Sequence, residues 1–134
     1  RDMDLYTPSD HFASTLTSLS DSVSLKWERG AALPKDRIET IKRFHEHGIF
    51  TWMSGEPVLS ANDTIEILRQ THGFVDFYKL GRMNYLDVKI DWKDYTHRLL
   101  DVVQHLGIRA YFKKDLQPYL PAWYENKPLR PQQE

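Results

Sequence analysis

The residues predict an α/β fold with a parallel sheet, and three observations carry that reading. Helix-type and strand-type segments alternate four times along the chain. Three of those alternations share one grammar: a helical pattern, a glycine stop, then a short apolar run. The runs themselves are dominated by β-branched and aromatic residues, the composition of buried parallel strands.

The first strand is Phe12–Leu19 (FASTLTSL), where apolar residues alternate moderately. Ser20 to Arg29 then hold a short helix, with Val23 and Leu25 or Trp27 facing inward. From Pro34 to His47, Ile38, Ile41 and Phe44 fall three apart, and Pro34 is acceptable in the first turn because its missing N–H has no helical partner there. Gly48 stops that helix before Ile49–Ser54. Ser60 or Asn62 caps the next helix, in which Ile65 and Leu68 share a face, and Gly73 stops it before Phe74–Leu80. Asp91 caps the last one, where Trp92, Tyr95, Leu99, Val102 and Leu106 draw a stripe, and Gly107 stops it before Ile108–Phe112. Each glycine is expected in the left-handed conformation that ends a helix cheaply. The core runs over 12–116, and 117–134 reads as an irregular proline-bearing arm, frayed over Pro131–Glu134.

Composition narrows the function. One domain of 134 residues can bury a real core, and 40% hydrophobic with 28% charged residues is ordinary globular usage. A formal charge of −1 gives no global basic field of a nucleic-acid binder. Apolar runs are too short to span a membrane and no leader opens the chain, so a soluble, cytoplasmic protein is expected. Arg1 in place of methionine suggests a cut or trimmed chain. Zero cysteines rule out disulfides and thiolate-bound metal within these residues.

In parallel α/β folds the ligand site lies at the carboxyl ends of the strands. Four loops then face one side: Ser18–Asp21, Ser54–Pro57, Gly81–Tyr85 and Lys113–Asp115. Glu56 belongs to that rim rather than to the core.

The run from Trp27 to Ile49 (WERGAALPKDRIETIKRFHEHGI), followed by Trp52–Leu59 (WMSGEPVL), resembles the second half of a radical S-adenosylmethionine enzyme. The nearest branch is the spore photoproduct lyases and related DNA repair lyases. Phe77–Tyr85 (FYKLGRMNY) and Tyr111–Leu116 (YFKKDL) look like later strand ends of the same group, so the likeness covers roughly residues 12 to 116. It implies a partial (β/α) TIM-type barrel, of which this chain is a half barrel of about four βα units. It also implies S-adenosylmethionine and a 4Fe–4S cluster in a full-length parent, which acts on nucleic acid through a 5′-deoxyadenosyl radical. The three-cysteine motif and the Gly-Gly-Glu-like segment of the family would lie before Arg1. This chain lacks both, so alone it is expected to bind neither cofactor.

By resemblance, Ser20, with Thr17 or Ser18 nearby, sits where the family meets the cofactor's ribose or carboxylate; the alternative is a helix cap at Ser20-Asp-Ser22. Glu56 either accepts hydrogen bonds from ribose hydroxyls or a substrate amide, or pairs with an arginine of the next unit. Lys79 either pairs with the cofactor's carboxylate or reaches solvent at the strand end, with Asn84 just beyond it. Arg82, Lys113 and Lys114 form a basic rim for phosphates, or are simply solvated. His45 and His47 are two apart on a helix and cannot share an ion, so no metal site is assigned. Trp52, Phe74, Phe77, Tyr78, Tyr111 and Phe112 fit strand core better than a base-stacking platform.

A half barrel leaves sheet edges at Phe12–Leu19 and Ile108–Phe112, and an inward face with Leu16, Trp52, Phe77 and Tyr111. Homodimerisation, or docking of the missing N-terminal half of the barrel, is therefore expected. The rival to an enzyme is a truncated half barrel acting as an interaction module. A small phosphate-handling barrel enzyme using Lys113-Lys114-Asp115 is the third reading.

Overall fold

The computed structural model describes residues 11–16, 33–84 and 89–128. Its elements run β1 (His11–Thr15), α1 (Pro34–Glu46), β2 (Phe50–Ser54), α2 (Ala61–Thr71), β3 (Phe77–Leu80), α3 (Trp92–Leu106) and β4 (Ala110–Phe112), followed by a 3₁₀ turn at Gln117–Tyr119. The sheet order is β1-β2-β3-β4 and every pairing is parallel, as half of a parallel barrel requires. Ser20, the helix expected over Ser20–Arg29, and the tail Pro131–Glu134 lie outside the described residues.

Helix starts follow the local chemistry. Pro34 opens α1. The Ser60 hydroxyl accepts from Asp63 N–H at α2, and the Asp91 carboxylate accepts from Asp94 N–H at α3. Helix ends divide two to one: Gly48 (φ 80°) and Gly107 (φ 67°) are left-handed, whereas Gly73 is not. There His72 closes α2 in a right-handed conformation, with its N–H on the Leu68 carbonyl. A helix that runs out through a right-handed turn needs no left-handed residue.

The stripe on α3 is also rotated from its expected course. Tyr95, Thr96, Leu99, Leu100 and Val103 are buried, while Trp92, Val102 and Leu106 are only half-buried. Tyr95, Leu99 and Val103 are spaced by four, and this row lies under α2 and the sheet.

Strand parity assigns the two faces. Met53, Tyr78, Leu80, Ala110 and Phe112 join Ile41, Leu68 and Leu99 in one core beneath the helices. In register, Trp52 neighbours Phe77, Ser54 neighbours Lys79, and Lys79 neighbours Tyr111, so these residues share the other face. Trp52, Phe77 and Tyr111 thus lie on the inward face, as expected. Leu16 does not: it is 1% exposed and belongs to the core under the helices. Its parity matches Phe12, whose ring stacks on Phe44 of α1 at 4.0 Å. In a strand, residues four apart face the same way.

The β4 edge departs from expectation as well, because the arm covers it. Asn126 accepts from Phe112 N–H at 2.7 Å and donates to the Phe112 carbonyl at 2.8 Å. The Tyr124 hydroxyl donates to the Ala110 carbonyl at 2.6 Å, and Gln117 donates to the Phe112 carbonyl at 3.1 Å. The outward-facing backbone groups of Ala110 and Phe112 are those a next strand would have paired.

Candidate functional site

The loops after β2, β3 and β4 meet at the carboxyl ends of the strands, with Glu56 at their junction. Its Oε2 accepts from Met83 N–H at 2.8 Å and its Oε1 accepts from Lys113 Nζ at 2.6 Å. The Met83 carbonyl returns a bond by accepting from Val58 N–H at 2.7 Å. One carboxylate therefore fastens three consecutive strand ends. A hydrogen-bonded ion pair with two partners is what permits a glutamate to be only 7% exposed.

Gly81 makes the seat. A Cβ there would lie 2.4 Å from Glu56 Oε2, so the carboxylate rests directly on the glycine backbone. Behind it stands Tyr95, fully buried, its hydroxyl donating to Thr64 Oγ1 at 3.3 Å. Burial holds that phenol well above its ordinary pKa; the Thr64 bond eases the shift and the charges of Glu56 and Asp115 add to it.

The other sequence candidates are distributed around this junction. Lys79 projects from the inward face, its Nζ 4.6 Å from the centroid of the Trp52 ring, and no described carboxylate pairs with it. Asn84 is half-buried in the loop after β3. Arg82 is exposed and its guanidinium turns to Trp92 on α3, 5.4 Å from the ring centroid. Lys114 is exposed beside the arm. Lys113 is committed to Glu56, so of the three rim cations one is internally neutralised and one packs on a helix. Glu56 is ion-paired as one of its two readings held, but with a lysine two strands away rather than with an arginine of the next unit.

From the sequence Tyr95 reads only as part of the α3 stripe and Gly81 only as the start of a rim loop, and the arm residues Tyr124 and Asn126 are not singled out. A glycine at the end of an apolar strand was a legible sign of close approach for Gly81. No local signal marks the others.

Among the described residues no cluster of three or more His, Asp or Glu could hold a metal, and the chain has no cysteine. The residues present therefore do not fit an iron–sulfur cluster. On the inward face Lys79 and Trp52 set an ammonium and an indole face side by side, groups that can meet a carboxylate and an aromatic ring. No described helix is long and apolar enough to cross a membrane.

No family model matches the chain, and no curated protein matches it. Among solved structures it is similar to two crystal structures of Streptococcus suis SuiB, one of them bound to S-adenosylmethionine. The one bound to S-adenosylmethionine gives a TM-score of 0.65 at 14% identity, the other 0.66 at 14%. The match covers 83% of this chain and 29% of SuiB, so the chain spans less than a third of that protein's length. At that identity the likeness is one of fold, and the fold shared is a partial parallel (β/α) barrel.

Proposed function

We propose that this chain is the C-terminal part of the barrel of a radical S-adenosylmethionine enzyme, of the photoproduct lyase type and acting on nucleic acid. The observation that carries the reading is Lys79: an ammonium with no carboxylate partner among the described residues, lying on Trp52 one residue from the end of β3, on the inward face. Lys79 would hold the cofactor's carboxylate as a point charge, Trp52 its sulfonium or purine face, and Asn84 a ribose hydroxyl. Glu56 orders the loops around them through Met83 N–H and Lys113. Arg82 and Lys114, exposed on the same rim, would take phosphates of the substrate. When bound, S-adenosylmethionine supplies the 5′-deoxyadenosyl group of the family's radical chemistry. The chain's own residues bind, orient and exclude water. The cluster has to come from polypeptide that carries cysteines.

A non-catalytic half barrel that self-associates is the second reading, and the missing thiolates favour it. One assay separates the two. The product of the whole gene is reconstituted anaerobically with iron and sulfide, supplied with S-adenosylmethionine and dithionite, and assayed for 5′-deoxyadenosine. The whole product should form it and the 134-residue chain alone should not. Lys79→Ala in the whole product should weaken S-adenosylmethionine binding about tenfold, the loss of one charge-assisted contact. No 5′-deoxyadenosine from the whole product, or unchanged affinity in Lys79→Ala, refutes the proposal.

A further inference from the structure

At the opposite end of the strands from Glu56, by the first residues of β3 and β4, lies a cavity of about 420 Å³. Phe77, Gln104, Arg109, Trp123, Tyr124 and Lys127 line it, together with the Glu125 carboxylate. Trp123 is 65% exposed, and with Met83 it is one of two large hydrophobic side chains left in solvent among the described residues. A lone exposed apolar residue needs no explanation. An indole on the wall of a cavity that also holds Arg109, which no described carboxylate neutralises, and the exposed Lys127–Glu125 pair does.

The wall is rigid where it matters. Tyr124 is pinned by its bond to the Ala110 carbonyl and stands edge-on to Phe112, with centroids 5.5 Å apart and planes at 89°. Trp123 meets Tyr124 at 78°, its centroid 6.3 Å away, so one steep aromatic corner is presented to the cavity. The Arg109 guanidinium lies 5.7 Å from the Phe77 ring centroid, and no described carboxylate pairs with it. Among the described residues the Lys127 ammonium meets Glu125 alone, at 2.9 Å, with side chains 78% and 77% exposed. So exposed a pair is weak and exchanges readily for a stronger anion. Gln104 brings an amide that can both donate and accept.

We propose that this cavity binds a nucleobase carrying a phosphate. The base stacks on Trp123, Gln104 meets its edge, and Arg109 and Lys127 take the phosphate. The site does not rest on the cofactor reading, since it uses none of the rim residues and lies at the other end of the strands.

Two probes distinguish the source of that chemistry: thymidine monophosphate, and a labelled oligothymidylate of about eight nucleotides followed by fluorescence anisotropy. Binding of both assigns the site to free nucleotides, and binding of the oligomer alone to a strand; either supports the proposal. Trp123→Ala should weaken binding about tenfold, by loss of one stacked base. Arg109→Ala should weaken it as well. Lys127→Ala should flatten the salt dependence of the oligomer by about one unit of log–log slope. All three side chains are exposed, so circular dichroism should show an unaltered fold. No binding of either probe overturns the site, as does wild-type affinity in Trp123→Ala. If only Arg82→Ala and Lys114→Ala reduce binding, nucleic acid sits on the rim, and this cavity is not its site while the enzymatic reading stands.

Discussion

Glu56 and Gly81 act as one contact, although 25 positions of chain separate them. Gly81→Ala would place a methyl group 2.4 Å from Glu56 Oε2 and push the carboxylate off Met83 N–H and Lys113. Overpacking of this kind costs about 1–3 kcal/mol. Glu56→Ala leaves the Met83 N–H without its acceptor, and should cost a similar amount of about 1–3 kcal/mol. Because both changes destroy the same arrangement, the double variant should fall short of the sum of the singles by more than about 0.5 kcal/mol. Urea unfolding of the four proteins measures this, and additive losses would mean the two residues act separately. The sequence placed Glu56 at the strand end because Gly-Glu-Pro follows an apolar run. It did not reveal Lys113 as the partner, which lies 57 positions away and is brought close only by the β2-β3-β4 order.

At the scale of elements, what is decided within one turn was legible and what is decided across space was not. Ser60 and Asp91 begin helices through bonds to residues three positions on, and Pro34 through its fixed φ in the first turn, so their roles could be read directly. Gly73 looked like a stop for the same local reason, yet the chain leaves α2 through His72 in a right-handed turn. Leu16 was assigned by its place in the run rather than by its parity with Phe12. The arm is the clearest case, since Tyr124 and Asn126 reach back 14 positions to cover β4. Asn126→Ala should strip Phe112 N–H of its acceptor and open the edge. Sedimentation velocity should then show association that grows with concentration and exceeds that of the parent protein. Equal sedimentation of the two would show that the edge is protected by something other than Asn126.

At the scale of the whole molecule, stability should fall steeply in alkali. Burial raises the pKa of Tyr78 and of Tyr95, each eased by a bond to a threonine, and burial raises that of Tyr124 too. The folded chain thus keeps protons that the unfolded chain loses above about pH 10, the ordinary tyrosine value. The folded state then binds more protons, so unfolding becomes easier as pH rises, by up to about 1.4 kcal/mol per pH unit for each tyrosine involved. Below that value the contribution is fully present. Urea midpoints taken on both sides of it, with tyrosinate absorbance followed in parallel, should show unfolding and phenol ionisation together. Tyrosines that ionise before the fold is lost would contradict the assignment.

The way β4 is finished has a consequence for growth. Hydrogen bonds from Gln117, Tyr124 and Asn126 satisfy the last strand with single side-chain groups, which carry no continuing row of backbone donors and acceptors behind them. A neighbouring strand would present a fresh template to whatever came next, and so on without end. An amide and a phenol present none. On that side the sheet has a terminus rather than a vacancy, so successive copies cannot be added there one after another into a fibre.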